Sequence, residues 1–341
     1  MDRSEGNGRH ILVVAGPGRS GTSLFAGLAG RLGWHIPKPE VIANRSNPRG
    51  FGEPRWAVDF HNSLLRSVAV TIEDARPPAW DRTGKVAERA EARRRLKAWL
   101  EEQFEQSERL VVKDPRLAWF LRLYFEVSAQ LGADVRVATM LRDPAEVVRS
   151  REIAYGAGTQ ATTRIAGWLN LMLNTEAICR PVPHAVVRYE DLLSDWRSAL
   201  ERAGSLLALP LVEQATPDQV ESADGLVDPS LRRSVAAAHD EMGLPVRLRD
   251  LMTCTYDTFA EMATAADGAS FKEQRLDQLR EDYESYYQES AAIARSSATA
   301  ARAAERRRLA REQRETDANH EQGHERVLRL KDRARSWLRR R

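Results

Sequence analysis

Short apolar runs alternate with amphipathic stretches through most of this chain. The runs at 11–15, 110–112, 135–141 and 185–187 are too short for helices and read as buried strands. Helical spacing follows each of them. Leu24, Phe25, Leu28 and Leu32 form one apolar stripe, and Asp143-Pro144 opens another helix. The pattern predicts further helices over 56–70, 85–108, 117–131, 161–179 and 192–207, the last capped by Glu190 or Asp191. The stretches 35–56 and 71–81 are rich in Pro, Gly and Asn or in turn residues and read as loops. Strands alternating with helices imply an α/β fold, a mostly parallel sheet with helices on both faces. In such sheets ligands bind beyond the carboxyl ends of the strands.

The pattern changes near Gly268. From there to Arg341 there is no Pro and charge dominates. A three-four spacing links Leu276, Leu279, Tyr283, Tyr286, Ser290 and Ile293, a weak heptad seam. The expected organisation is a disordered 1–9, one domain over 10–267, and a long C-terminal helical or coiled-coil tail over 268–341. The final residues are basic, with Val327, Leu328, Leu330, Trp337 and Leu338 interspersed. Such a helix suits peripheral contact with an anionic membrane or self-association, against the plainer reading of a solubilising tail.

Composition narrows this picture modestly. The 341 residues carry a formal net charge of +3, which gives no case for nucleic acid. Cys179 and Cys254 lack metal-ligand or C-x-x-C spacing and read as buried thiols of a reducing compartment. No apolar run is long enough for a bilayer, and residues 1–10 lack a signal-peptide core, so the expected location is cytoplasmic. No His, Cys or carboxylate cluster has metal spacing, and none is expected to hold a metal.

The most informative stretch is G-P-G-R-S-G-T-S, residues 16–23, between the first strand and its helix. Backbone N–H groups and the positive helix end converge there on one anion. Gly16 and Gly21 keep the spacing of a nucleotide-triphosphatase loop, but Thr22 stands where the Lys of that loop belongs, and the cation sits earlier, at Arg19. Such a loop is poorly suited to a magnesium triphosphate and well suited to one phosphate ester.

R-S-G-T-S after an apolar strand resembles the 5′-phosphosulfate loop of sulfotransferases, in the Arg variant of tyrosylprotein, carbohydrate and bacterial enzymes. The resemblance implies a P-loop-type parallel sheet. It also implies 3′-phosphoadenosine-5′-phosphosulfate (PAPS) as donor, with Gly18, Arg19, Ser20, Gly21, Thr22 and Ser23 around its 5′ end. The family anchors the 3′-phosphate with an Arg ending a strand and a Ser eight residues on; Arg142 and Ser150 have that spacing. Asn47, Pro48, Arg49, Gly50, Phe51 and Glu53 match the N-P-[KR]-G-[FY]-x-E pattern of bacterial relatives, with Gly52 where an aromatic is expected. K-D-P-R, 113–116, occurs in such relatives too, and makes Lys113 and Arg116 candidates for facing a ligand, beside a plain capping role. Arg232 or Arg233 could close over the donor or an anionic acceptor, or be a solvated pair.

The base for the acceptor hydroxyl is read as Glu53, with Glu40 as rival and His61 third. Trp34, Phe51, Trp56 and Trp80 are candidates to stack on a sugar or headgroup, or core residues. The expected acceptor is a small molecule, glycan or lipid. The competing readings are a small-molecule or nucleoside kinase with an atypical loop and a non-catalytic nucleotide-binding scaffold.

Overall fold

The computed structural model describes residues 8–228 apart from 45, 46, 48 and 157, then 242–264 and 269–338, without the side chains of 269, 270 and 315–338. Its strands are β1 (Arg9–Ala15), β2 (Arg109–Lys113), β3 (Ala133–Leu141) and β4 (His184–Arg188). They form one sheet in the order β2-β1-β3-β4, with every neighbouring pair parallel. β1 is paired on both sides, and Ile11 to Ala15 are fully buried, so its sequence is continuously apolar rather than alternating.

Each face of the sheet is covered by helices. Ile11, Val13 and Ala15 face one way, onto α2 (Arg55–Ser67), α4 (Ala90–Phe104) and α5 (Leu121–Gln130). Leu12 and Val14 face the other way, onto α1 (Thr22–Arg31) and α9 (Trp196–Leu207). The short helices α3 (Ala79–Gly84), α8 (Tyr189–Ser194) and α10 (Pro217–Asp224) fill the connections. A third apolar cluster lies at the β3–β4 end. It gathers Leu141 and Val186, Val148 of α6 (Pro144–Tyr155), Ile165 and Trp168 of α7 (Ala161–Cys179), and Leu248 and Phe259 of α11 (Val246–Thr264).

The expected fold class holds: a parallel α/β sheet flanked by helices, with a long C-terminal helix, α12 (Ala269–Leu338). Several element bounds differ, for local reasons. The stretch expected as one helix over 192–207 is broken before Trp196, because Asp195 caps a new helix through its carboxylate, which accepts from the Ser198 N–H at 3.1 Å. Residues 117–120 form a 3₁₀ turn before α5. Residues 79–81, expected at the end of a loop, open the helix α3 instead. Arg9, expected with the disordered start, opens β1. Cys179 is buried as expected, but Cys254 is only half-buried.

The compact unit runs through Tyr286, and residues 287–341 form a second unit. The seam expected of the tail therefore divides. Leu276, Leu279 and Tyr283 are buried in the third cluster, and the Tyr283 hydroxyl donates to the Ala75 carbonyl at 2.6 Å. Ile293, in the second unit, is 74% exposed. The first part of the pattern is a core-facing stripe, since three apolar side chains at helical spacing cover one side of a helix. Among the described residues, no helix is long and apolar enough to cross a membrane.

Candidate functional site

The chain leaves β1 with β2 on one side and β3 on the other, so a crevice opens above their carboxyl ends. A cavity of about 890 Å³ lies there. The turn after β1 is shaped by two glycines. Gly16 has φ +118°, and a Cβ on it would lie 2.8 Å from the Met140 carbonyl oxygen of β3. Gly21 has φ +92°, and its Cβ would lie 2.4 Å from the Tyr189 ring. Arg19 takes the same left-handed region, at φ +77°, which few side-chain-bearing residues adopt. Arg142 braces it by donating from Nη1 to the Arg19 carbonyl at 2.9 Å.

Gly18, Arg19, Gly21, Thr22, Ser23, Arg142 and Ser150 all line this one cavity, as does Glu53. Ser20 is fully buried, and its Oγ has no hydrogen-bond partner. No side chain caps the first turn of α1. Ser150 lies two turns into α6, and its Oγ accepts from Arg19 Nε at 3.1 Å. Arg142 also donates from Nε to Glu146 at 2.9 Å and lies over the Tyr189 ring, 4.5 Å from its centroid. Two guanidiniums of separate strand-helix turns thus meet on one side of the sheet. Asp143 makes this placement possible, because its carboxylate caps α6 at the Ala145 and Glu146 N–H groups.

The described residues of 36–53 reach α1 at Gly30, Ser23 and Ala26, through Ile36, Asn47 and Gly52. Asn47 donates to Ser23 Oγ at 3.3 Å, and Arg49 reaches the Leu226 carbonyl and the Asp228 carboxylate. Glu40 and Glu53 lie close on this stretch, since Glu40 bridges Pro54 and the Val41 N–H donates to the Glu53 carbonyl at 2.8 Å. Both line the cavity, but their surroundings differ. Glu40 pairs with the exposed Lys38. Glu53 is 8% exposed and accepts from Lys113 Nζ at 2.5 Å, and the same ammonium lies 3.3 Å from Ser23 Oγ. Gly52 backs onto α1, where a Cβ would come within 3.3 Å of Ala26.

His61 is outside the cavity's lining. It is fully buried, 2.8 Å from the Asp114 carboxylate through Nδ1 and 3.1 Å from the Tyr124 hydroxyl through Nε2. Burial pushes the Asp114 carboxyl up, but the hydrogen bond and charge of His61 and the charge of Arg116 outweigh it and hold it at about 2. Burial and the Asp114 charge push the Tyr124 phenol up. Arg116 donates to Asp114 at 2.7 Å and Asn62 at 2.8 Å and still reaches the cavity wall. Trp56 stacks on Phe60 and Trp99, and Trp80 on Trp119, so both are core residues; Trp34 and Phe51 line the cavity. Arg232 and Arg233 lie outside the described residues.

Tyr189 and Arg151, given no ligand-facing role by the sequence, also line the cavity. R-Y-E-D at the end of β4 reads as a cap, yet its Tyr is the shelf under Arg142 and the wall against Gly21. An aromatic directly after a strand end was the available signal. Arg151 reaches the Gly18 carbonyl at 3.4 Å and pairs with Glu73. Burial lowers its guanidinium to about 10, and the charges of Arg164 and Arg19 add to that lowering against an opposing effect of Tyr155.

No protein-family model matches the chain, and no curated protein does. Solved structures resemble it, among them two sulfotransferase domains. One is the "Sulfotransferase Domain from the Synechococcus PCC 7002 Olefin Synthase", 20% identical with a TM-score of 0.44, covering 75% of this chain and 96% of that one. The other is the "Sulfotransferase Domain from the Curacin Biosynthetic Pathway", 15% identical with a TM-score of 0.38, covering 75% of this chain and 98% of that one. With matches this loose, the activity has to be read from the chain's own residues.

Proposed function

We propose that this protein is a sulfotransferase that moves a sulfuryl group from PAPS to an acceptor hydroxyl. The observation that carries the reading is the meeting of Arg19, Ser150 and Arg142 on one cavity beside an uncapped helix start and a buried, unpartnered Ser20 hydroxyl. A ligand with phosphates at two positions of one adenosine fits such a donor set, whereas the missing loop Lys removes the usual grip on a triphosphate. When bound, PAPS supplies a sulfuryl group already activated on a phosphate.

Arg19, Thr22, Ser23 and the first N–H groups of α1 hold the 5′ end and meet the charge that develops on its phosphate oxygen. Arg142 and Ser150 hold the far phosphate and so fix alignment. Glu53 takes the acceptor's proton. Lys113, shared between Glu53 and Ser23, keeps that carboxylate oriented at the loop. Asn47 and Gly52 lie against α1 beside this corner, where they would help to shield it from water.

Adenosine 3′,5′-bisphosphate should raise the melting temperature without magnesium, and Arg142→Gln should abolish most of that rise. Stabilisation by ATP only with magnesium, and none by the bisphosphate, would overturn the reading in favour of a kinase.

A further inference from the structure

The cavity carries more positive charge than the donor reading uses. Arg151 and Arg116 both line it, with Ile72, Pro115 and Tyr155 between and around them. Their location is set by Gly18 at the tip of the loop. A Cβ there would meet Arg151 Nη1 at 3.4 Å and Pro115, the residue before Arg116, at 3.8 Å, so two distant chain segments pack against the loop tip. Lys113, which holds Glu53, is three residues before Arg116 on the same strand end. A molecule that brings a hydroxyl to Glu53 occupies the cavity that both guanidiniums line.

Arg151 is an unusual cation. Its side chain is 12% exposed, and its buried Nε has no hydrogen-bond partner. Its one carboxylate partner, Glu73, is shared, because Arg164 Nη1 lies 3.9 Å from the other Glu73 oxygen. Arg19 adds a third guanidinium close enough to act on Arg151. Among the described residues, the single carboxylate of Glu73 serves both Arg151 and Arg164, which leaves a surplus of positive charge in a largely buried place, costly without an anion to offset it. Arg116, by contrast, is held in place by Asp114 and Asn62 with its guanidinium at the wall. A fixed planar donor of this kind suits an oxyanion.

The geometry points to an acceptor that carries its own negative charge, a hydroxyl compound bearing a carboxylate or similar oxyanion, recognised by Arg151 with Arg116 beside it. This rests on the sulfotransferase reading for the word acceptor; the anion site itself does not. Glu73 occupies Arg151 until the acceptor's oxyanion competes for it. Neutral hydroxyl compounds gain nothing from the surplus charge and are the poorer ligands.

The test is binding by the full chain of matched pairs that differ only in charge, measured calorimetrically with and without adenosine 3′,5′-bisphosphate. Suitable pairs are 4-hydroxybenzoate with its amide, glucuronate with glucuronamide, and 12-hydroxydodecanoate with its amide. In at least one pair the anion should bind tenfold tighter or better. Arg151→Gln should erase that preference, Arg151→Lys should keep part of it, and the bisphosphate affinity should change less than threefold in both. Glu73→Gln should bind the anion several-fold tighter, a gain that a merely damaged fold would not show. Equal binding within every pair, or no binding of any charged member, overturns the proposal. So does a loss of bisphosphate affinity in Arg151→Gln as large as in Arg142→Gln, which would put Arg151 in the donor site. A charge preference that persists in a protein unable to bind the bisphosphate keeps the anion site and removes the sulfotransferase reading instead.

Discussion

The wall of the cavity around Arg19 and Arg142 is fixed chiefly by the backbone, whereas the wall around Glu53 and Arg151 is fixed by other side chains. On the first wall, a turn with positive φ at Gly16, Arg19 and Gly21 and a helix capped by Asp143 aim the cations. On the second, Glu53 is held by Lys113 sixty positions away, and Arg151 by Glu73 on a different loop. Backbone-fixed groups keep their places whether or not a ligand is there. Groups held in ion pairs can exchange partners at little cost in geometry. The difference suits a site in which one substrate is shared by every turnover and the other is chosen.

The largest expected effect separates the two walls directly. Glu53→Gln should lower turnover by about 10²- to 10⁴-fold, as loss of a general base does, while calorimetry shows adenosine 3′,5′-bisphosphate binding unchanged. Full activity in Glu53→Gln with none in Glu40→Gln would move the base to Glu40. Next comes Asp114→Asn, which strips a buried ion-paired carboxylate from His61 and Arg116 and should cost about 3 kcal/mol by denaturant titration. Its pH signature has a definite sign. A carboxyl at 3.8 in the unfolded chain and about 2 in the folded one contributes stability above pH about 4 and loses it as pH falls through about 2. That acid limb should be weaker in Asp114→Asn; an unchanged limb would show that other carboxylates carry it. Arg142→Gln should weaken bisphosphate binding by roughly tenfold to a hundredfold, the worth of a charged hydrogen bond, with little effect on acceptor-pair preference. The smallest effect belongs to removal of residues 287–341. Cutting after Tyr286 should shift the melting temperature by no more than about 2 °C, because the described side chains beyond it add little to the core. A large drop would show that the second unit stabilises the first.

The sheet, the strand ends and the clustering of Arg19, Arg142 and Ser150 were legible because each follows from local spacing. A buried strand, a glycine turn and an Arg-to-Ser interval of eight are visible in a single sequence, and Arg19, Arg142 and Ser150 do line one cavity. The break at Asp195 and the helix after Thr216 had signals that the reading passed over; T-P-D-Q spells a capping box, which the structure forms. On the second wall Glu53 had its motif, but Arg151 and Glu73 had no such signal. Nothing in the neighbourhood of Glu73 says that it faces Arg151, since their pairing depends on how two distant turns fold over the loop tip. His61 lacked one as well, because a histidine in a helix looks the same whether it faces a cavity or, as here, a buried carboxylate and phenol.

Tyr283 gives the long terminal helix a root beside the second wall. Its hydroxyl is bonded to Ala75, two residues from Glu73. A single phenol near the end of the compact unit thus tethers the turn whose carboxylate holds Arg151, and loosening that tether would be felt first at the cavity.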